Sequence, residues 1–330
     1  MQNRNKHQAL IEKINEFGKH GIPFFLIVDF SMQYPRLFNL DELINNKIQV
    51  DFPTYKTPNL IQIISPIELI KNPITFEDYQ YKFNVVKENL NYGNSFLTNL
   101  TCETPIETKA SLSEIFTASH AKYKIQFGDE WVCFSPESFI KIEDQAIHSY
   151  PMKGTIDASI DNARNILEND KKEIAEHYTI VDLIRNDMSM VATNVQVKKF
   201  RYIDELKTSD KTLLQVSSHI QGELPINFQS ELGNILFSLL PAGSISGAPK
   251  KKTLDIIQQA EDYDRGFYTG TAFYYDGKNL DSCVLIRFIE NKMKNGIQQL
   301  VYKSGGGITV HSEPEKEYQE LIDKIYVPTI

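Results

Sequence analysis

Apolar residues along this chain fall into short runs with two kinds of spacing. Ile22-Pro-Phe-Phe-Leu-Ile-Val28 is apolar throughout and predicts a buried strand over residues 22–30. Asn46–Tyr55 and Leu60–Ser65 read as loops and short strands edged by prolines. Phe76, Tyr79, Phe83, Val86 and Leu90 recur at helical spacing, so residues 75–90 predict a helix that ends at Tyr92-Gly93-Asn94. Strands are predicted over Ser95–Cys102, Glu130–Phe134, Ser138–Ile142 and Ala146–Tyr150, the last leading into a Pro-Met-Lys-Gly-Thr turn. Ile174, Tyr178, Val181 and Ile184 form one stripe of a helical stretch over residues 161–187. Leu254, Ile256 and Ile257 suggest a helix opened by Pro249.

The last third alternates differently. Tyr268–Tyr275, Asp281–Glu290 and Ile297–Lys303 predict strands joined at Asp276-Gly277 and Asn295-Gly296, both strong hairpin signals, giving an antiparallel meander. Residues 314–326 close as a helix with Tyr318, Leu321, Ile322 and Ile325 apolar. Antiparallel strands mixed with helices, without βαβ alternation, place the chain in the α+β class.

Composition narrows the function classes. The 330 residues suffice for one large domain or two ordinary ones, and 41% apolar with 24% charged residues is the balance of a soluble globular protein. A net charge of −8 argues against a nucleic-acid partner, and it requires that any anionic substrate be captured by local donors or a metal. Cys102, Cys133 and Cys283 are far apart and lack CxxC spacing, so neither a zinc site nor a disulfide framework is indicated. The polar N-terminus and the absence of a long apolar segment predict a cytoplasmic protein with no membrane span.

Several segments carry chemistry-bearing residues. Pro241–Lys250 packs two glycines and two hydroxyls behind an apolar run, a composition suited to holding an anion or to a plain loop-to-helix junction. Glu173 and Glu176, and again Glu317 and Glu320, stand three residues apart on predicted helices. That spacing puts each pair on one face, where it can serve a hard cation such as Mg²⁺ or simply be solvated. Arg287 lies in the apolar run Cys283–Ile289 and needs an anion, either a protein carboxylate or a ligand. Ser304-Gly-Gly-Gly307 offers successive N–H groups for an anion or a flexible turn. Lys153 between Met152 and Gly154 is a candidate nucleophile or a solvated lysine. Glu137 has a bland reading as a turn carboxylate, and the lone His219 as a core or edge residue.

Taken in order, Ser135-Pro-Glu137, Pro151-Met-Lys-Gly-Thr155, Lys172-Glu-Ile-Ala-Glu-His177, Ile180-Val-Asp-Leu-Ile-Arg-Asn-Asp187, Pro241–Lys250, Ser304–Ile308 and Ser312-Glu-Pro-Glu-Lys-Glu317 resemble the chorismate-utilising enzymes. That family includes component I of anthranilate synthase and of aminodeoxychorismate synthase, and the isochorismate and salicylate synthases. The resemblance runs from about residue 75 to residue 330 and treats residues 1–330 as a single chorismate-binding domain. The fold it implies has antiparallel β-sheets packed as a sandwich with helices outside. By the same resemblance, Glu176 and Glu320 are direct Mg²⁺ ligands, with Glu173 and Glu317 as their outer partners. The metal would hold the ring carboxylate of chorismate. Tyr268 and Arg287 would bind the enolpyruvyl carboxylate, Gly305, Gly306 and Gly307 would supply N–H donors, and Lys324 would support the metal region. Ser244 and His219 match further pocket residues.

Within the family, Lys153 resembles the lysine of aminodeoxychorismate synthases, where anthranilate synthases usually carry alanine. The implied reaction is amination of chorismate to 4-amino-4-deoxychorismate for 4-aminobenzoate and folate synthesis. Lys153 would attack C2, and Glu137 would protonate the departing 4-hydroxyl. The alternative is anthranilate synthase component I, which would release pyruvate. No cysteine has the setting of a glutaminase nucleophile, so ammonia is expected from a separate glutaminase subunit or free ammonium. The chain departs from the family pattern at Met188-Ser-Met190 and at Gly306, where alanine is usual. No regulatory tryptophan-binding segment is recognisable, so tryptophan feedback is not expected.

Overall fold

The computed structural model describes residues 7–58, 67–207, 212–294 and 296–329. The segment Leu60–Ser65 and Asn295 of the second hairpin turn lie outside them. The chain divides into two compact units, each assembled from three stretches: Met1–Leu40, Ser138–Ser244 and Gly270–Val284 in the first, Asp41–Glu137, Ile245–Thr269 and Leu285–Ile330 in the second. Each unit holds one antiparallel sheet with helices, which is the α+β class expected.

Among the described residues the first sheet has nine strands. Phe24–Val28 lies between Arg36–Phe38 and Thr271–Tyr275, followed by Leu280–Val284, Ser138–Glu143 and Ala146–Ser149. The long strand Thr212–Glu223 pairs along one edge with Ala146–Ser149 and Met152–Asp157, and along the other with Thr193–Lys207. Every residue of Phe24–Val28 is buried, so the unbroken apolar run marks a strand covered on both faces. Ile11 and Ile14 of the helix Gln8–His20 and Leu232, Leu236 and Leu239 of the helix Leu232–Leu239 join it in one core. Full burial of each such side chain contributes roughly 1.5–3 kcal/mol.

The second sheet has, among the described residues, eight strands, ordered Gly247–Ala248, Leu97–Glu107, Ile297–Ile308, Phe288–Lys294, Trp131–Ser135, Tyr123–Phe127 and Ile48–Asp51, with Ile70–Lys71 on Leu97–Glu107. The helix Phe76–Asn91 starts where Thr75 accepts the Asp78 N–H, and its predicted stripe Tyr79, Phe83, Val86 and Leu90 is buried against Leu100, Cys102, Ile256 and Leu321.

Four expectations change, and one pair of strands is additional. The 161–187 stretch is two helices, Ala163–Asn169 and Lys171–Ser189, because Asp170 caps the second by accepting the Glu173 N–H at 3.0 Å. Residues 151–155 are not a turn: Met152–Asp157 is a strand, and Gly154, at φ +74°, supplies the bulge that shifts its register. The expected strand Asp281–Glu290 is two strands in different sheets, since Leu285–Arg287 leave the ladder and Arg287 turns the chain at φ +55°. Gly305–Gly307 do not follow the last strand; they lie inside it, opposite Thr101, Leu100 and Asn99. The long hairpin pair Thr193–Lys207 and Thr212–Glu223 was not anticipated. No helix among the described residues is long and apolar enough to cross a membrane.

Candidate active site

The candidate residues fall into two groups, one in each unit. In the first, the strand Met152–Asp157 aligns Lys153 with Val216, and the bulge at Gly154 lets the chain pass close under the neighbouring helix. A Cβ on Gly154 would stand 3.0 Å from Leu167 Cδ1 and 3.4 Å from Glu173 Oε2. The helix Lys171–Ser189 places Glu173 and Glu176 on the same side. Lys153 Nζ donates to Glu176 Oε2 at 3.0 Å, and the Glu176 carboxylate is only 5% exposed. A carboxylate that deep requires a cation, and Lys153 supplies one.

His177, the next residue on that helix, is 1% exposed, and its Nε2 lies 2.6 Å from Ser218 Oγ. Burial pushes the His177 imidazole down to about 4, and the charges of Arg201 and Lys153 act in the same sense. His219 is elsewhere. Successive strand residues point to opposite faces, so His219 is turned away from the face where Val216 and Ser218 meet Lys153 and the helix. There it stacks on Tyr150 at 4.8 Å and shares a hydrogen bond of 3.0 Å with His148. Burial lowers both imidazoles. Ser244 sits in the short helix Gly243–Ser246, where a Cβ on Gly243 would come 2.7 Å from Leu183 Cδ2 and 3.1 Å from Asp187 Oδ2.

In the second unit, Glu317 and Glu320 share a side of the helix Pro314–Asp323, with Glu317 3% exposed. Lys324 Nζ lies 2.6 Å from Glu320 Oε1 and donates to the Gly305 carbonyl at 2.8 Å. These groups converge on Gly306, where a Cβ would be 3.5 Å from Glu320 Oε1, 3.6 Å from Glu317 Oε2 and 3.7 Å from Lys324 Nζ. Pairing of Phe288–Lys294 with this strand stops at Lys303. Among the described residues no strand covers that edge beyond Lys303, so alternate peptide groups of Gly305–Gly307 face away from Leu97–Glu107.

Arg287 and Tyr268 lie in the same unit. No carboxylate among the described residues comes within ion-pair distance of Arg287, and its buried Nε has no hydrogen-bond partner there. Its guanidinium stands 5.6 Å over the Tyr326 ring. A guanidinium so placed can take a ligand carboxylate in a forked contact. Burial pushes the Tyr268 phenol upward, against the opposite effect of Arg265 and Arg287. Glu137 directly precedes the Ser138 strand, and its N–H donates to Ser135 Oγ at 3.1 Å.

Sequence reasoning missed the groups that hold this region. Arg265 grips Glu261 with two hydrogen bonds of 2.6 and 2.8 Å and the Asn99 carbonyl at 2.7 Å, while its own carbonyl accepts the Tyr268 N–H and Lys303 Nζ. Lys303 is fully buried and pairs with Glu290 at 2.6 Å. Lys303 carried a weak signal, a charge directly after the apolar Leu300-Val-Tyr302, whereas Glu261 and Arg265 lie in the charged run Glu261-Asp-Tyr-Asp-Arg265, where nothing marks them for burial.

Each glutamate pair offers oxygen donors and at least one buried carboxylate, and each already carries an ammonium. That donor set fits a hard divalent cation. No single cluster of three His, Cys, Asp or Glu side chains is preassembled among the described residues.

An uncharacterized PabA-like protein of Haemophilus influenzae is 47% identical over 97% of this chain and 97% of its own. Aminodeoxychorismate synthase component 1 of Escherichia coli is 31% identical over 76% of this chain and 57% of its own. The structure of anthranilate synthase component I from Streptococcus pneumoniae superposes with a TM-score of 0.65 at 24% identity, covering 87% of this chain and 64% of that one, a likeness of fold alone. The family profile described as chorismate binding enzyme matches residues 43–329. With that match over most of its length and a near full-length relative, the chain belongs to the chorismate binding enzyme family.

Proposed function

We propose that this enzyme aminates chorismate to 4-amino-4-deoxychorismate, with ammonia delivered by a separate glutaminase subunit. The observation that carries the reading is Lys153, held by its strand against the buried Glu176 carboxylate. Relatives of both activities lie at similar identity, so their names do not choose between amination and anthranilate formation. A lysine amine at this place gives amination a covalent route.

Arg287 and Tyr268 would grip the enolpyruvyl carboxylate, and Gly305–Gly307 would offer N–H donors. Mg²⁺, held by Glu176 and Glu320 with Glu173 and Glu317 behind them, would neutralise the ring carboxylate. The neutral Lys153 amine forms a bond to C2 as the ring double bonds shift and the C4–O bond breaks. Glu137 gives its proton to the departing hydroxyl, which leaves as water. Ammonia then attacks C4, the double bonds shift back, the C2–N bond to Lys153 breaks to release the neutral amine, and the ammonium formed at C4 returns its extra proton to Glu137. Chorismate and ammonia thus give 4-amino-4-deoxychorismate and water. The product would feed 4-aminobenzoate and folate synthesis in the cytoplasm.

Incubation with chorismate, Mg²⁺ and ammonium, followed by mass spectrometry, tests the reading. Formation of 4-amino-4-deoxychorismate that is lost in Lys153→Ala supports it. Anthranilate with pyruvate would overturn it in favour of the alternative.

A further inference from the structure

We infer that His177 is a positioning residue that sets the contact between Lys153 and Glu176 through Ser218. The inference deepens the amination reading and rests on it only for what that contact serves. His177 Nε2 and Ser218 Oγ are 2.6 Å apart, and both residues are almost completely buried. His177 adjoins Glu176 on the helix Lys171–Ser189. Ser218 lies two residues from Val216, the ladder partner of Lys153. The one hydrogen bond therefore ties the element bearing the carboxylate to the sheet bearing the amine.

The surroundings of Ser218 are built for that bond. The ladder between Thr193–Lys207 and Thr212–Glu223 passes from Lys199 opposite His219 to Tyr202 opposite Ser217, leaving Phe200 and Arg201 to face Ser218. In this bulge Arg201 adopts φ +46°, a conformation that costs a non-glycine residue roughly 1–2 kcal/mol. It directs the Arg201 N–H to Ser218 Oγ at 2.9 Å. The Arg201 guanidinium reaches the Leu167 and Glu168 carbonyls, both at 3.3 Å, near the end of the helix Ala163–Asn169. The Phe200 ring meets His177 edge-on at 5.8 Å and Tyr178 at 4.8 Å. The bulge at Arg201 thus lies where the sheet grips both helices.

The test compares wild type with His177→Phe, Ser218→Ala and His177→Gln, whose amide can reach the place of Nε2. Acylation of Lys153 by an N-hydroxysuccinimide ester is followed by peptide mass spectrometry without substrate, beside the thermal midpoint, kcat and KM. His177→Phe and Ser218→Ala should label Lys153 several-fold faster with other lysines unchanged. Their kcat should fall ~10-fold or more while KM stays within about twofold, as expected when a reacting group is misplaced. His177→Gln should restore both. Unchanged Lys153 labelling in the two loss variants would overturn the inference. Should His177→Phe fail to fold, Ser218→Ala, which removes a single oxygen, decides. Because labelling needs no turnover, a wild type that makes no 4-amino-4-deoxychorismate would sink the amination reading and leave this result standing.

Discussion

Lys153 Nζ lies 3.0 Å from Glu176 Oε2, so the amine proposed to attack the substrate is held by a carboxylate proposed to hold the metal. A salt-bridged ammonium is no nucleophile, so attack on the substrate requires that Lys153 first leave Glu176 and lose a proton. A cation entering at Glu176 competes with Lys153 for the same oxygen. Lys324 stands in the corresponding relation to Glu320 in the other unit.

Removing the competitor should therefore tighten metal binding. Lys153→Met is expected to bind Mg²⁺ about tenfold more tightly, equivalent to about 1.4 kcal/mol, while losing amination. Calorimetric titration in the absence of chorismate measures it. An affinity equal to or below that of wild type would remove the shared-oxygen relationship.

The two proposed metal ligands should respond differently to neutralisation. Glu176→Gln and Glu320→Gln should both weaken the Mg²⁺ dependence of turnover. Only Glu176→Gln should also lower stability, because it breaks a pair whose carboxylate is 5% exposed, whereas the Glu320 side chain is 47% exposed. Mg²⁺ titrations of rate and urea unfolding of the apoprotein separate the effects. A normal metal titration in either variant would refute that ligand assignment.

Arg287 combines a left-handed backbone with a buried Nε that has no protein partner among the described residues. Arg287→Lys should raise KM for chorismate by ~10–100-fold, since a point charge cannot reproduce a forked contact to a carboxylate. Steady-state kinetics checks this, and a KM within twofold of wild type would contradict ligand binding by Arg287.

Adjacent glycines should differ sharply. A Cβ at Gly305 would stand 2.3 Å from the Leu100 carbonyl, backbone that cannot retreat, whereas at Gly306 the nearest atom is 3.5 Å away. Gly305→Ala should cost about 1–3 kcal/mol or more, while Gly306→Ala should be close to neutral. Thermal unfolding of the two variants compares them directly, and equal midpoints would contradict the packing.

Acid should destabilise the fold through His177. Its pKa is lowered from 6.5 to about 4, so the folded protein stays neutral there while the unfolded chain takes up a proton. The contribution is complete above pH ~6.5 and is lost as pH falls toward ~4, amounting to up to about 3 kcal/mol. Urea unfolding at pH 7.5 and 4.5 should show a smaller difference in His177→Gln than in wild type.

Much of the fold is legible in the amino-acid pattern. The stripe Tyr79, Phe83, Val86 and Leu90 gave its helix because period and burial coincide. The all-apolar Phe24–Val28 gave its strand for the same reason. Asp276-Gly277 marked a real hairpin, with Tyr275 opposite Leu280. Cys283–Ile289 misled because apolar pattern records burial and not the sheet in which a residue is buried. Gly305–Gly307 misled because glycine marks close approach as well as turns, and here the close neighbour is the Leu100 carbonyl.

The candidate site divides along the same line. Residue type alone left Lys153, the two glutamate pairs and Arg287 each with an ordinary structural reading, and it was the resemblance of the ordered motifs that made them candidates. Only tertiary structure decided that Lys153 meets Glu176, that His219 faces the other side of its sheet, and that His177 is anchored to Ser218. Those relations depend on strand register and on a bulge at Arg201, which bring together residues tens of positions apart and leave no local periodicity in the chain.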